Sequence, residues 1–184
     1  MPFSMSGRTV GLVCLILFIL TIPAGNWMVM NVGTVCPPDG PCLIPVWPGI
    51  MSPSAVLFAG LALILRDAVQ SLLGKRWTLV AIAAGAALSG ILSEPAIILG
   101  STCAFLFSEL ADFAVYTPLR ERHLTLAIVL SGLVGSVIDS VIFLSLAFGS
   151  LDFIVGQVIG KFWMSLVAGA MIIMWRNARR AQVA

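Results

Sequence analysis

Charge is what this chain has least of. Asp, Glu, Lys and Arg make up only 10% of its 184 residues, against about a quarter in a soluble domain, so a water-facing globular fold is excluded. Histidine occurs once, as His123 in the sequence RERH, where a solvated charge cluster is the simplest reading. No apolar stretch carries a GxSxG, HExxH or DxxD pattern, so a nucleophile with its base, or a metal cluster, lacks its parts. The chain therefore reads as a non-enzyme, with no metal, cofactor or nucleic acid among its expected partners.

What remains is long hydrophobic runs. The chain is 60% hydrophobic, with a mean hydropathy of +1.09, and the runs recur over its whole length. That pattern predicts an all-α integral membrane protein, surrounded by lipid and forming a single transmembrane domain over residues 1–184. Six transmembrane helices are expected, over 9–29, 54–73, 77–92, 96–116, 124–148 and 153–175. The sequence SEP at 93–95 suits a tight turn between the third and fourth, since Pro95 fits a first helical turn. Read the other way, 9–29 would be a cleaved signal segment, but the run is long for one and no good small-x-small cleavage site follows.

The basic residues set the orientation. Arg8, Lys75, Arg76, Arg120, Arg122, Arg176, Arg179 and Arg180 all fall at one side of this pattern, whereas the opposite loops hold Asp39, Glu94 and Asp152 and no Lys or Arg. By the positive-inside rule both termini are expected in the cytoplasm. The outer loop, 30–53, is rich in proline and holds Cys36 and Cys42, for which a short-range disulfide is expected on the oxidising side; a metal site there would lack a histidine. Residues 43–50, with Trp47, are too short to span, and are expected to rest at the interface or dip back into the bilayer. Cys14 and Cys103 lie in spans as apolar filler.

Against this background six ionisable residues stand out within the spans: Arg66, Asp67, Glu109, Asp112, Asp139 and Lys161. Each costs roughly 2.5–3.5 kcal/mol at the bilayer centre on translocon scales, so they must face one another, a cavity or water. Helical periodicity groups Ser101, Ser108, Glu109, Asp112 and Tyr116 on one stripe of the fourth span. Ser131, Gly135 and Asp139 repeat every four residues on the fifth, as do Gln157, Lys161 and Ser165 on the sixth, beside the small pair Gly156 and Gly160. Depth pairs the charges. Asp139 and Lys161 both lie ~15 Å from the outer end, and Arg66 and Asp112 both lie ~12–14 Å from the cytoplasmic end, at about 1.5 Å per residue. Asp67 and Glu109 are left over. Pairs of this kind can merely fix helix register, whereas leftover acids suit a hydrogen-bonding or proton-coupling site.

Several of these residues also sit in recognisable strings. DFAVYTPLR (112–120), SGLVGSVIDSVIFLSLAF (131–148) and the region of Lys161 resemble the queuosine-precursor transporter family, the vitamin-uptake-like transporters. The matching positions are Asp112, Val115, Tyr116, Leu119 and Arg120 at the end of one span, Ser131, Gly135, Asp139, Ser140 and Phe143 in the next, and the lone Lys161 in the last. Gly132 departs from the pattern, which often has Asn there. GNW at 25–27 and Asp67 with Gly74 are weaker echoes, and the Cys/Pro loop and Arg66 have no counterpart.

The resemblance implies uptake of a 7-deazaguanine, such as 7-cyano- or 7-aminomethyl-7-deazaguanine, through a bacterial inner membrane for queuosine biosynthesis. It also implies a substrate site drawn from Asn26, Asp67, Glu109, Asp112, Tyr116, Asp139, Gln157 and Lys161. A carboxylate would accept the two adjacent N–H groups of the base, Lys161, Gln157 or Asn26 would meet its carbonyl, and Tyr116, Trp27 or Trp163 would stack on its face. Two other readings stand beside this one: a substrate-binding subunit of an energy-coupling-factor vitamin transporter, which needs a separate ATPase, and a purely structural membrane protein. A homo-oligomer is compatible with all three.

Overall fold

The computed structural model describes residues 7–38, 40–164 and 166–167. Five long helices run through it: α1 (Gly7–Asn31), α2 (Val56–Leu73), α3 (Lys75–Leu92), α4 (Ile98–Leu119) and α5 (Leu124–Phe148). All five are long and apolar enough to cross a bilayer. A sixth helical stretch, α6, begins at residue 154 and continues to the edge of the described residues. The expected end of the sixth span at 175, together with Ser165, Asp39, Arg176, Arg179 and Arg180, lies outside them.

Helix ends fall where the backbone has a reason to turn. Gly74, with φ of +90°, is the only residue between α2 and α3. A side chain rarely adopts that angle, so glycine permits a reversal with no loop at all. Gly149 closes α5 in the left-handed conformation, its N–H bonding the carbonyl of Ser145 at 3.2 Å. Ser93 to Ile97 make the short turn between α3 and α4.

The connection from α1 to α2 departs from the expected all-α pattern. Residues Leu43–Trp47 (β1) and Ile50–Pro53 (β2) form an antiparallel hairpin, with Leu43 opposite Pro53 and Pro45 opposite Met51. Nothing here dips back as a helix, and the sequence explains why. Pro45, Pro48 and Pro53 cannot donate in a helical ladder, while Ile, Val and Trp between them favour a strand, and Gly49 takes the positive φ of the turn. A disulfide joins Cys36 to Cys42 just before β1. The hairpin base is tied to α1 through Cys42 N–H to Val29 O at 2.7 Å and Ser54 Oγ–H to Met28 O at 2.9 Å.

Polarity runs opposite to that of a soluble protein. Leu12, Ile16 and Leu20 on α1, Val80 and Ile91 on α3, and Val129, Leu133 and Val137 on α5 all face outward. Arg66, Gln70, Thr78, Ser89, Asp112, Ser131 and Ser140 are completely buried. Apolar surface outside and polar groups inside is the arrangement a lipid solvent selects. Small residues let the helices close over those groups. A Cβ at Gly160 would stand 2.7 Å from Val56, and one at Gly60 2.7 Å from Met164, so α6 lies directly against α2. Gly156 is packed on the carbonyl of Met51, which seats α6 against the hairpin as well.

Candidate functional site

The buried polar residues form two separate layers. The first surrounds a cavity of about 70 Å³ in the half of the bundle that carries the hairpin. All five long helices and the start of α6 contribute to its wall. Most of the lining is apolar, with phenyl rings from Phe58, Phe105 and Phe143; Asn26, Ser89, Ser101, Asp139 and Gln157 supply polar groups.

Lys161 organises one polar wall without lining the cavity itself. Its ammonium is buried and reaches Asp139 Oδ2 at 2.6 Å, Ser140 Oγ at 2.7 Å, Gln157 Oε1 at 2.9 Å and the Ser136 carbonyl at 3.3 Å. Gln157 and Lys161 stand one turn apart on α6, and Ser136, Asp139 and Ser140 share one face of α5, so a single cation locks the two helices together. Among the described residues nothing bonds Asp139 Oδ1 or the amide nitrogen of Gln157. One carboxylate oxygen and one amide donor are thus held in fixed positions beside the cavity.

Asn26 organises the other wall. Its carboxamide donates to Ser93 Oγ at 2.7 Å and Ser89 Oγ at 3.3 Å, and accepts from Ser101 Oγ at 2.5 Å; Ser89 Oγ in turn donates to Ser101 Oγ at 3.0 Å. This network joins α1, α3, α4 and the turn at Ser93. Asn26 is therefore a packing hub as well as a lining residue. Ser89 was not singled out from the sequence, because a serine in an apolar run is indistinguishable there from packing filler, and Ser93 was read only as part of a turn.

The second layer lies toward the opposite end of the bundle and is ionic. Arg66 is fully buried and pairs with Asp67 at 3.0 Å, with Glu109 at 3.2 Å and with Asp112. Its Nη1 also donates to Gln70 Oε1 at 3.2 Å. The expectation that Asp67 and Glu109 would be left over is corrected. A guanidinium carries five N–H donors in a planar fork, so one Arg66 serves three carboxylates at once. Gln70 Nε2 donates to Thr117 Oγ1 at 2.9 Å, and Arg120 Nη1 donates to the Gln70 carbonyl at 2.8 Å, which binds α2 to α4.

Of the expected substrate contacts, some line this cavity and others do not. Asp67, Glu109, Asp112, Tyr116 and Lys161 do not line the cavity; only Asn26, Asp139 and Gln157 of the expected set do. Nor do the expected stacking rings. Tyr116 is buried with the guanidinium groups of Arg66 and Arg120 over its ring, at 5.5 and 5.8 Å. Trp27 faces outward, and Trp163 stacks on Trp47 with centroids 6.1 Å apart. The aromatic residues on the cavity wall are Phe58, Phe105 and Phe143.

Long apolar helices with polar groups turned inward around a cavity define a multi-pass helical membrane protein. Residues 54–175 match the family described as putative vitamin uptake transporter, and the chain belongs to that family of membrane transporters. The match starts immediately before α2, so it covers both buried-charge layers but not α1 or the hairpin. No curated protein and no solved structure matched the chain.

Proposed function

We propose that the protein imports 7-cyano- or 7-aminomethyl-7-deazaguanine, or a closely related purine-like base, across a bacterial inner membrane, with both termini cytoplasmic and six spans. The observation that carries this reading is the pairing of the unbonded Asp139 oxygen with the unbonded Gln157 amide on the wall of a phenyl-lined cavity. A deazaguanine offers adjacent N–H donors and a carbonyl on one edge of a flat apolar ring, and each feature has a partner there. Lys161 supports the site by holding Asp139 and Gln157 rather than by touching the base. Asn26 supports it by fixing the opposite wall.

The orientation follows from the basic residues. Arg8, Lys75, Arg76, Arg120 and Arg122 lie at the end away from the hairpin, and Glu94 and Asp152 lie at the hairpin end. With the basic end in the cytoplasm, the cavity occupies the outer half of the bundle and the ionic layer closes it from beneath. An importer poised to receive substrate has that form.

The test is uptake in a host unable to make the precursor. With precursor supplied at low concentration, cells expressing the protein should contain queuosine in their tRNA, and cells without it should not. Equal queuosine in both would overturn the proposal. The family description also favours a second reading, a binding subunit of an energy-coupling-factor vitamin transporter. Co-purification with ATPase subunits, and uptake that fails without them, would establish it.

A further inference from the structure

The ionic layer holds three carboxylates on one guanidinium. Asp67 and Arg66 come from α2, and Glu109 and Asp112 from α4. Arg120 is held by the Gln70 carbonyl and over the Tyr116 ring, and among the described residues no ion pair joins it to the acids. The next acid, Asp139 on α5, is itself neutralised by Lys161 of α6. On α5, Gly135 stands against Asp112, where a Cβ would lie 3.3 Å from the carboxylate Oδ2. Arg8 of α1 and Lys75 and Arg76 of α3 are exposed and form no ion pair with the cluster. Asp112 is completely buried, and its Oδ2 has no hydrogen-bond donor. Burying that much uncompensated negative charge costs several kcal/mol per ion, so the cluster is short of a cation at a defined oxygen.

We propose that this cation is a proton, bound by the Arg66 cluster during each transport cycle, and that its binding releases the inner closure and couples import to the proton gradient. A metal ion does not fit. The guanidinium already occupies the centre on which the carboxylates converge, and among the described residues no group of His, Cys, Asp or Glu is arranged to hold one. The step is a simple association. A proton adds to a carboxylate oxygen of Glu109 or Asp112, the neutral acid gives up its charge-assisted bond to Arg66, and α4 loosens from α2. Release of the proton to the cytoplasm restores the bond. The coupling direction rests on the transport reading above; the proton site does not.

Two measurements test it. The first needs no substrate: infrared spectra of the purified protein across a pH titration should show a buried carboxylic-acid band, altered or lost in Glu109→Gln and in Asp112→Asn. All carboxylates ionised throughout, in wild type, would overturn the site. The second uses proteoliposomes and 7-cyano-7-deazaguanine. An inward proton gradient should drive accumulation by up to about tenfold per pH unit for one proton per molecule, and a protonophore should abolish it. Glu109→Gln should keep exchange of the base across the membrane but lose accumulation. Accumulation driven by a sodium gradient, or unchanged in Glu109→Gln, would overturn proton coupling. If wild type neither binds nor moves the base, the substrate reading fails, and the infrared result still decides the proton site.

Discussion

Asp139 does two things with its two oxygens, and they can be separated. Oδ2 neutralises Lys161, while Oδ1 has no hydrogen bond among the described residues, on a side chain that lines the cavity. Replacing Asp139 with Asn keeps the shape but removes the charge and turns one acceptor into a donor. Binding of the base should weaken by ~1.5–3 kcal/mol, the scale of a charge-assisted hydrogen bond. The same change strands a buried ammonium, at a stability cost of roughly 3–5 kcal/mol. Adding Lys161→Met should restore expression and thermal stability without restoring affinity. Full uptake by the double variant would reduce the pair to scaffolding. Depth along the helices made this pair and the Arg66–Asp112 pair legible in the sequence, because charges of opposite sign at equal depth in lipid have few other partners. The fan of three acids on Arg66 was not legible, since it depends on how α2 and α4 are rotated against each other. Phe58, Phe105 and Phe143 were not legible either: an apolar ring carries no signal in a chain so rich in apolar residues.

At the scale of elements, the bounds of α1 to α5 lie within three residues of the expected spans, because runs of that length leave little choice. The hairpin was hidden. Its strands are short, prolines interrupt them, and part of their packing is on α6, far along the chain. Its two attachments should differ in weight. The disulfide closes only a short loop, so changing both Cys36 and Cys42 to Ser should cost on the order of 2–3 kcal/mol at most and leave uptake largely intact. Gly160→Leu should do far more harm. The side chain would meet Val56 and separate α6 from α2, removing Lys161 and Gln157 from the site together. Melting temperature and uptake of the two variants, measured side by side, check the ranking; loss of transport in the cysteine variant at normal expression would reverse it.

For the whole molecule, orientation is the property that gives every other feature its direction. Single cysteines introduced near 75, 94, 121 and 152 should react with a membrane-impermeant thiol reagent from opposite sides: 94 and 152 from outside, 75 and 121 only after the cytoplasmic face is opened. Reaction of 94 from the cytoplasm alone would invert the molecule, and with it the roles of cavity and ionic layer. This orientation is an expectation read from the loops, where charge is free to vary. The sequence could not show that the polar stripes separate into two layers, because that depends on packing between helices distant in the chain.

The stack of Trp47 on Trp163, nearly parallel at 13°, has a use beyond packing. One ring belongs to the hairpin and the other to α6, with the Trp163 N–H also on the Val46 carbonyl at 3.1 Å. Two indoles so placed couple their electronic transitions, which makes the protein its own optical gauge. Wild type should show a paired circular-dichroism signal in the indole bands that Trp47→Phe removes. If the hairpin lifts from α6 as substrate passes, that signal should fade during turnover and return at rest, so opening could be timed without attaching a label.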